Sequence, residues 1–160
     1  MIETYANGAA LADAAAHAVH AQLAVALRTH GRAGLVATGG RSPGPVYDRL
    51  AEASLDWTRV VITLSDERCV APDDPVSNAR LVRERLLQGA AAKAHLLPLW
   101  PEPEVAALAA LQPFDVVMLG MGEDGHIASL IPGDPGLEDG LTTPDLLRPV
   151  PEGLGKPPVA

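Results

Sequence analysis

The chain has 160 residues, enough for one domain with a core of its own. Apolar residues make up 48%, yet only 2 Trp, 2 Tyr and 1 Phe are present, so Ala, Leu and Val must fill the interior. A net charge of −8 argues against a nucleic-acid surface, because phosphate backbones select basic faces, but it leaves room for a small anion held by a few focused donors. Cys69 is the sole cysteine, which rules out an intrachain disulfide and fits a reducing cytoplasm. No apolar run reads as long enough to span a membrane, and the N-terminus lacks a basic region followed by a hydrophobic stretch. The expectation is a soluble cytoplasmic protein with neither a membrane nor a nucleic-acid partner.

Residues 9–29 read as one helix, with Leu11, Ala15, Val19, Leu23 and Leu27 recurring about once per turn. Asn7 or Gly8 is placed to cap its start, and Gly31 follows its end. His17, His20 and His30 read as solvated helix histidines. "GLVAT" (34–38) is a short apolar strand, "GGRSPG" (39–44) a turn, and residues 45–53 a helix with proline in its first turn. "RVVITLS" (59–65) is a continuous β-branched strand of the kind buried on both faces of a parallel sheet. A loop (66–76) leads to a helix at 77–88 with Ser77 as its cap. A third strand follows at 94–99, then a helix at 101–112 with acids in its first turn and a fourth strand at 114–120. This alternation predicts a doubly wound, Rossmann-like α/β fold, with a mainly parallel sheet, helices on both faces and right-handed crossovers. The chain reads as a single domain, with an ordered part of about 1–133 and a loosely ordered Pro/Gly-rich tail at 134–160.

In such sheets ligands bind beyond the carboxyl ends of the strands, near a topological switch point. Three loops that leave those ends carry unusual residues. In "TGGRSPGP", Gly39 and Gly40 let backbone approach a ligand, Ser42 adds a hydroxyl and Arg41 a charge, ahead of a helix N-terminus. The loop lacks both the Walker and the Rossmann glycine spacing. In "SDERC", Asp66 and Glu67 follow a buried strand, so one of them should point into the crevice, while Arg68 can bind phosphate or hold a carboxylate ionised. In "GMGEDGHIASLIP", Gly120, Gly122 and Gly125 loosen the backbone around His126. An imidazole can serve as general base, and Asp124, two residues away, can orient it. Backbone N–H groups around Gly120–Gly122 are candidate oxyanion donors.

Taken together, "TGGRSPGPVYDRL", "SDERCVAPDDPVSNARLVRERLL" and "FDVVMLGMGEDGHIASLIPG" resemble, in order and spacing, the 6-phosphogluconolactonase branch of the glucosamine/galactosamine-6-phosphate isomerase superfamily. Arg68 after Asp66-Glu67, and Ile127-Ala128-Ser129-Leu130 after His126, resemble the lactonase branch rather than the deaminase branch. The resemblance implies hydrolysis of 6-phospho-D-glucono-1,5-lactone to 6-phosphogluconate in the oxidative pentose phosphate pathway, without metal or cofactor. It implies His126 as general base supported by Asp124. It places Gly39, Gly40, Arg41, Ser42, Asp66, Glu67, Arg68, Asn78, Arg80, Gly120 and Gly122 at the substrate, with Arg68 the phosphate partner. It also implies a fold that runs on past residue 160 to a late phosphate-contacting lysine, so the chain reads as C-terminally truncated. A deaminase or isomerase of amino-sugar phosphates, or a sugar-phosphate-binding module without turnover, stand as alternatives. The oligomeric state, monomer or homodimer, is left open.

Overall fold

The computed structural model describes residues 2–150. Helix α1 (Gly8–His30) is followed by β1 (Ala33–Ala37), α2 (Gly44–Ala51), β2 (Val60–Leu64), α3 (Asn78–Arg85), β3 (His95–Leu96), α4 (Val105–Ala110), β4 (Val116–Val117) and α5 (Leu137–Thr142). The four strands are parallel and stand in the order β3-β2-β1-β4. The chain therefore winds outward from β1 to β3, then crosses back so that β4 pairs on the other side of β1. The switch point predicted from the alternation lies between β1 and β4.

Local chemistry explains the helix ends. Asn7 accepts a hydrogen bond from the Ala10 N–H at 2.9 Å, and Gly31 closes α1 at φ 73 with its N–H donating to the Leu27 carbonyl. Ser77 caps α3 by accepting from the Arg80 N–H at 3.1 Å. The predicted helix at 101–112 begins only at Val105, so Glu102 precedes the helix and Glu104 is its cap residue. Pro103 accounts for Glu102, since the residue before a proline is pushed out of helical geometry. The predicted strands at 94–99 and 114–120 shrink to two paired residues each.

Packing corrects the reading of α1. Its buried face is Ala12, Ala16, Val19, Leu23, Ala26 and Leu27, while Leu11 is 48% exposed. A strict four-residue spacing drifts by about 40° per step against a 100° helix, so Leu11 rotates off the stripe that Leu23 and Leu27 define. The small residues Ala12, Ala16 and Ala26 lie where α1 presses on its neighbours; the helix packs on both α2 and β1. By length and mean hydropathy (1.3) α1 is long and apolar enough to cross a membrane, contrary to the expectation that no run is. Here it serves as a core helix, burying one face against the sheet. His30 is exposed, as the solvated reading expects, and its Nε2 also meets Asp115 Oδ1 at 2.9 Å, while Asp115 Oδ2 accepts from the Gly34 N–H at 2.7 Å.

On the sheet's other face Val36 and Thr63 share a cavity of about 220 Å³ with Leu108 of α4 and with Leu146 and Leu147. In the stretch from 134, expected to be a loosely ordered tail, the structure shows one short helix and contacts to the core. Residues 137–142 form α5, Arg148 bridges to Asp139, and Leu146 and Leu147 pack on the core. Residues 151–160, included in that expectation, lie outside the described residues.

Tyr47, fully buried in α2, fixes the carboxyl end of β1. Its hydroxyl accepts from the Thr38 N–H at 2.8 Å and donates to the Thr38 carbonyl at 2.6 Å. Burial pushes this phenol above its ordinary pKa. Removing the hydroxyl strands two backbone groups where the glycine turn begins, so Tyr47→Phe should lower stability by about 1–3 kcal/mol, read as a fall in urea midpoint at constant slope.

Candidate active site

The three loops that leave β1, β2 and β4 meet in one open cleft of about 740 Å³. Gly39, Gly40, Arg41 and Ser42 form one wall; Asp66, Arg68 and Asn78 form the second; Gly120, Gly122, Asp124 and His126 form the third. Residues up to 90 positions apart, Thr38 and Ala128, thus face the same space, because β1 lies between β2 and β4 in the sheet.

Within the third wall, backbone and side chain lock together. Asp124 Oδ1 hydrogen-bonds His126 Nδ1 and also accepts from the His126 N–H at 3.3 Å. That contact holds the Asp124 carboxyl below the usual carboxylate range. Since the carboxylate only accepts, Nδ1 carries a ring proton, and in the neutral imidazole the lone pair then lies on Nε2. Gly122 lies against the imidazole so closely that a Cβ there would collide with the ring, and Gly125 sits at φ 84. The Gly122 N–H donates to the His126 carbonyl at 2.8 Å, which removes it from the candidate oxyanion donors. Ala128, a non-glycine residue, is held at φ 51, a left-handed conformation that costs about 1–2 kcal/mol.

The second wall separates three consecutive charges. Asp66 is 8% exposed; its Oδ1 accepts from Ser65 Oγ at 3.2 Å and Asn78 Nδ2 at 3.3 Å, and its Oδ2 from Ser129 Oγ at 2.7 Å. Arg68 places its Nε in the interior with no hydrogen-bond partner among the described residues. Arg68 also lines the cleft, and a guanidinium on such a wall can pair with an anionic ligand. Asn78 packs its amide against Gly39, where a Cβ would collide with it, and donates to the Asp66 carbonyl at 2.9 Å. This contact explains a glycine at 39, while Gly40 requires one for its φ of 95.

Two of the expected site residues are turned elsewhere. Glu67, 2% exposed, accepts from Ser77 Oγ at 3.1 Å and from the N–H groups of Arg68, Asn78 and Ala79, each at 2.7 Å. It is an anion seated on the start of α3, where free N–H groups and the helix dipole favour negative charge. Arg80 pairs with Glu84 at 2.7 Å and donates to the Asp73 carbonyl at 2.8 Å, outside the cleft. Sequence reasoning passed over Thr38 and Ser129. Thr38 lines the cleft at the end of β1 and carries no motif signal, whereas Ser129 entered only as part of the stretch after His126, with no role given to its hydroxyl. Among the described residues no group of three or more His, Cys, Asp and Glu side chains converges as a metal site would require.

Comparison with known proteins places the fold in a family. The family model described as glucosamine-6-phosphate isomerases/6-phosphogluconolactonase matches residues 6–158, and the chain belongs to that family. It is 45% identical to the 6-phosphogluconolactonase of Caulobacter vibrioides, covering 88% of this chain and 64% of that protein. To the 6-phosphogluconolactonase of Rhizobium meliloti it is 42% identical, covering 96% of this chain and 72% of the other. The crystal structure of a 6-phosphogluconolactonase from Shewanella baltica superposes with a TM-score of 0.88 at 37% identity, over 97% of this chain and 71% of that one. That from Thermotoga maritima gives 0.75 at 31% identity, over 92% and 71%. The chain thus spans roughly two-thirds of the length of these relatives.

Glu67 separates a structural from a ligand-binding role cleanly. Glu67→Gln replaces a charged acceptor of four hydrogen bonds by a neutral one and should cost about 1–3 kcal/mol, read by thermal or urea unfolding. Affinity for a sugar phosphate, measured by calorimetry on the folded fraction, should stay near that of the parent chain.

Proposed function

We propose that the cleft hydrolyses 6-phospho-D-glucono-1,5-lactone to 6-phosphogluconate, as a cytoplasmic enzyme of free sugar phosphates. The observation that carries this reading is the meeting, in one cleft, of the His126–Asp124 pair with the cationic side chains of Arg41 and Arg68. A volume of about 740 Å³ suits a ligand the size of a sugar phosphate. The names of the relatives support the same chemistry.

The reaction needs a water-activating base, a donor for the carbonyl oxygen and a grip on the phosphate. With Nδ1–H committed to Asp124, His126 Nε2 takes a proton from water as the oxygen attacks the lactone carbonyl carbon. The bond from that carbon to the ring oxygen then breaks. The proton passes from the imidazolium to the departing oxygen, which becomes a hydroxyl of the open-chain acid. Asp124 stabilises the imidazolium that exists between the two transfers, without taking its proton. Arg68 and Arg41 hold the phosphate across the cleft, while the Gly39–Asn78 contact and the Asp66 carboxylate shape the floor for the sugar hydroxyls. Gly120 and Met121 remain as backbone candidates for the oxyanion donor.

The test is an assay with freshly made phosphogluconolactone, following lactone loss above the spontaneous rate. His126→Asn should lower kcat by about 10²–10⁴-fold while leaving 6-phosphogluconate binding largely intact. Equal loss of turnover and of 6-phosphogluconate binding in that variant, or release of ammonia from glucosamine 6-phosphate without any acceleration of lactone loss, contradicts the proposal.

A further inference from the structure

We infer that Ser129 is a positioning residue for His126, an inference that rests on the lactonase reading of the cleft. Ser129 does not line the cleft; it lines a neighbouring cavity of about 300 Å³, on the far side of Ala128 and Asp66, which border both spaces. Its hydroxyl donates to Asp66 Oδ2 at 2.7 Å, across 63 positions of sequence. Asp66 is itself immobilised, being 8% exposed and holding Ser65 Oγ and Asn78 Nδ2 on its other oxygen. Ser129 therefore ties the turn after β4 to a fixed point on the loop after β2.

The turn passes that anchor on to the imidazole. Ile127 and Leu130 exchange backbone hydrogen bonds of 3.2 and 2.9 Å, closing a tight reversal with Ala128 and Ser129 at its tip. Ile127 also bridges Met121, and the His126 carbonyl accepts from the Gly122 N–H at 2.8 Å. His126 and Ser129 thus belong to one small hydrogen-bonded unit. Asp124 sets the rotation of the ring inside that unit, and Ser129 sets where the unit stands relative to Asp66 and Arg68. The left-handed Ala128 turns Ser129 inward toward Asp66 while His126 faces the cleft. A strained residue persists only where its surroundings hold it, and the Ser129–Asp66 hydrogen bond is adjacent.

Ser129→Ala, Ser129→Thr and Ser129→Cys in the 160-residue chain test this, with kcat and KM for the lactone and the imidazole resonances of His126 by NMR as readouts. Ser129→Ala should lower kcat roughly 10- to 100-fold with little change in KM, since the reacting groups are misplaced while the phosphate grip is untouched. The His126 resonances should shift and broaden. Ser129→Thr, which keeps the hydroxyl, should restore both. If the alanine variant does not fold, Ser129→Cys, a weak donor of similar size, takes its place and should fall between the two. Parent-like kcat with unchanged His126 resonances in the alanine or cysteine variant overturns the inference, as does failure of threonine to rescue. Should the parent chain show no lactone hydrolysis, the lactonase reading fails, and the His126 resonances alone decide whether Ser129 positions the ring.

Discussion

Everything at the cleft depends on β4 joining the sheet beside β1 rather than beside β3. The Met118 N–H donates to the Val36 carbonyl at 2.9 Å, and the Ser65 N–H donates to the Ala37 carbonyl at 2.7 Å. These two bonds hold the ends of β4 and β2 on opposite sides of β1. Crossovers that travel in opposite directions from β1 leave a gap above its carboxyl end, and the loops must line that gap. The glycines at 39, 40 and 122 then have a common cause. Each lets backbone stand where a side chain would strike Asn78, adopt a disallowed angle or strike His126.

The loop after β2 distributes three neighbouring charges to three tasks. Glu67 is consumed by the start of α3, which orients Asn78 against Gly39. Asp66 gathers Ser65, Asn78 and Ser129, joining the loop after β2 and the start of α3 to the turn that bears His126. Arg68 lines the cleft together with Arg41. A site that binds an anion in a chain of net charge −8 needs such an arrangement, with Glu67 and Asp66 engaged by hydrogen-bond donors and cationic side chains facing the cleft.

Much of this was legible in the sequence, because strands and glycine turns announce themselves locally. The apolar runs around 34–38 and 59–65 and the caps at Asn7 and Ser77 follow from short-range chemistry and fall where expected. What escaped depends on direction and distance. Adjacent Asp66 and Glu67 look alike in a string, and only the place of α3 decides that Glu67 serves the helix. Arg80 was assigned to the substrate although Glu84, one turn on, is a local partner visible in the spacing. The packing of Leu146 and Leu147 escaped because prolines and glycines around them read as loop, while their value lies in covering Val36 and Thr63. Ser129 escaped because its partner lies 63 residues away.

The central claim is that three loops form one binding site. The most direct measurement is a titration of the isotope-labelled chain with 6-phosphogluconate, followed residue by residue in NMR spectra. The account predicts that Gly40, Arg68 and His126 shift together and saturate at one common dissociation constant. Shifts confined to a single loop, or different constants for the three, would contradict it.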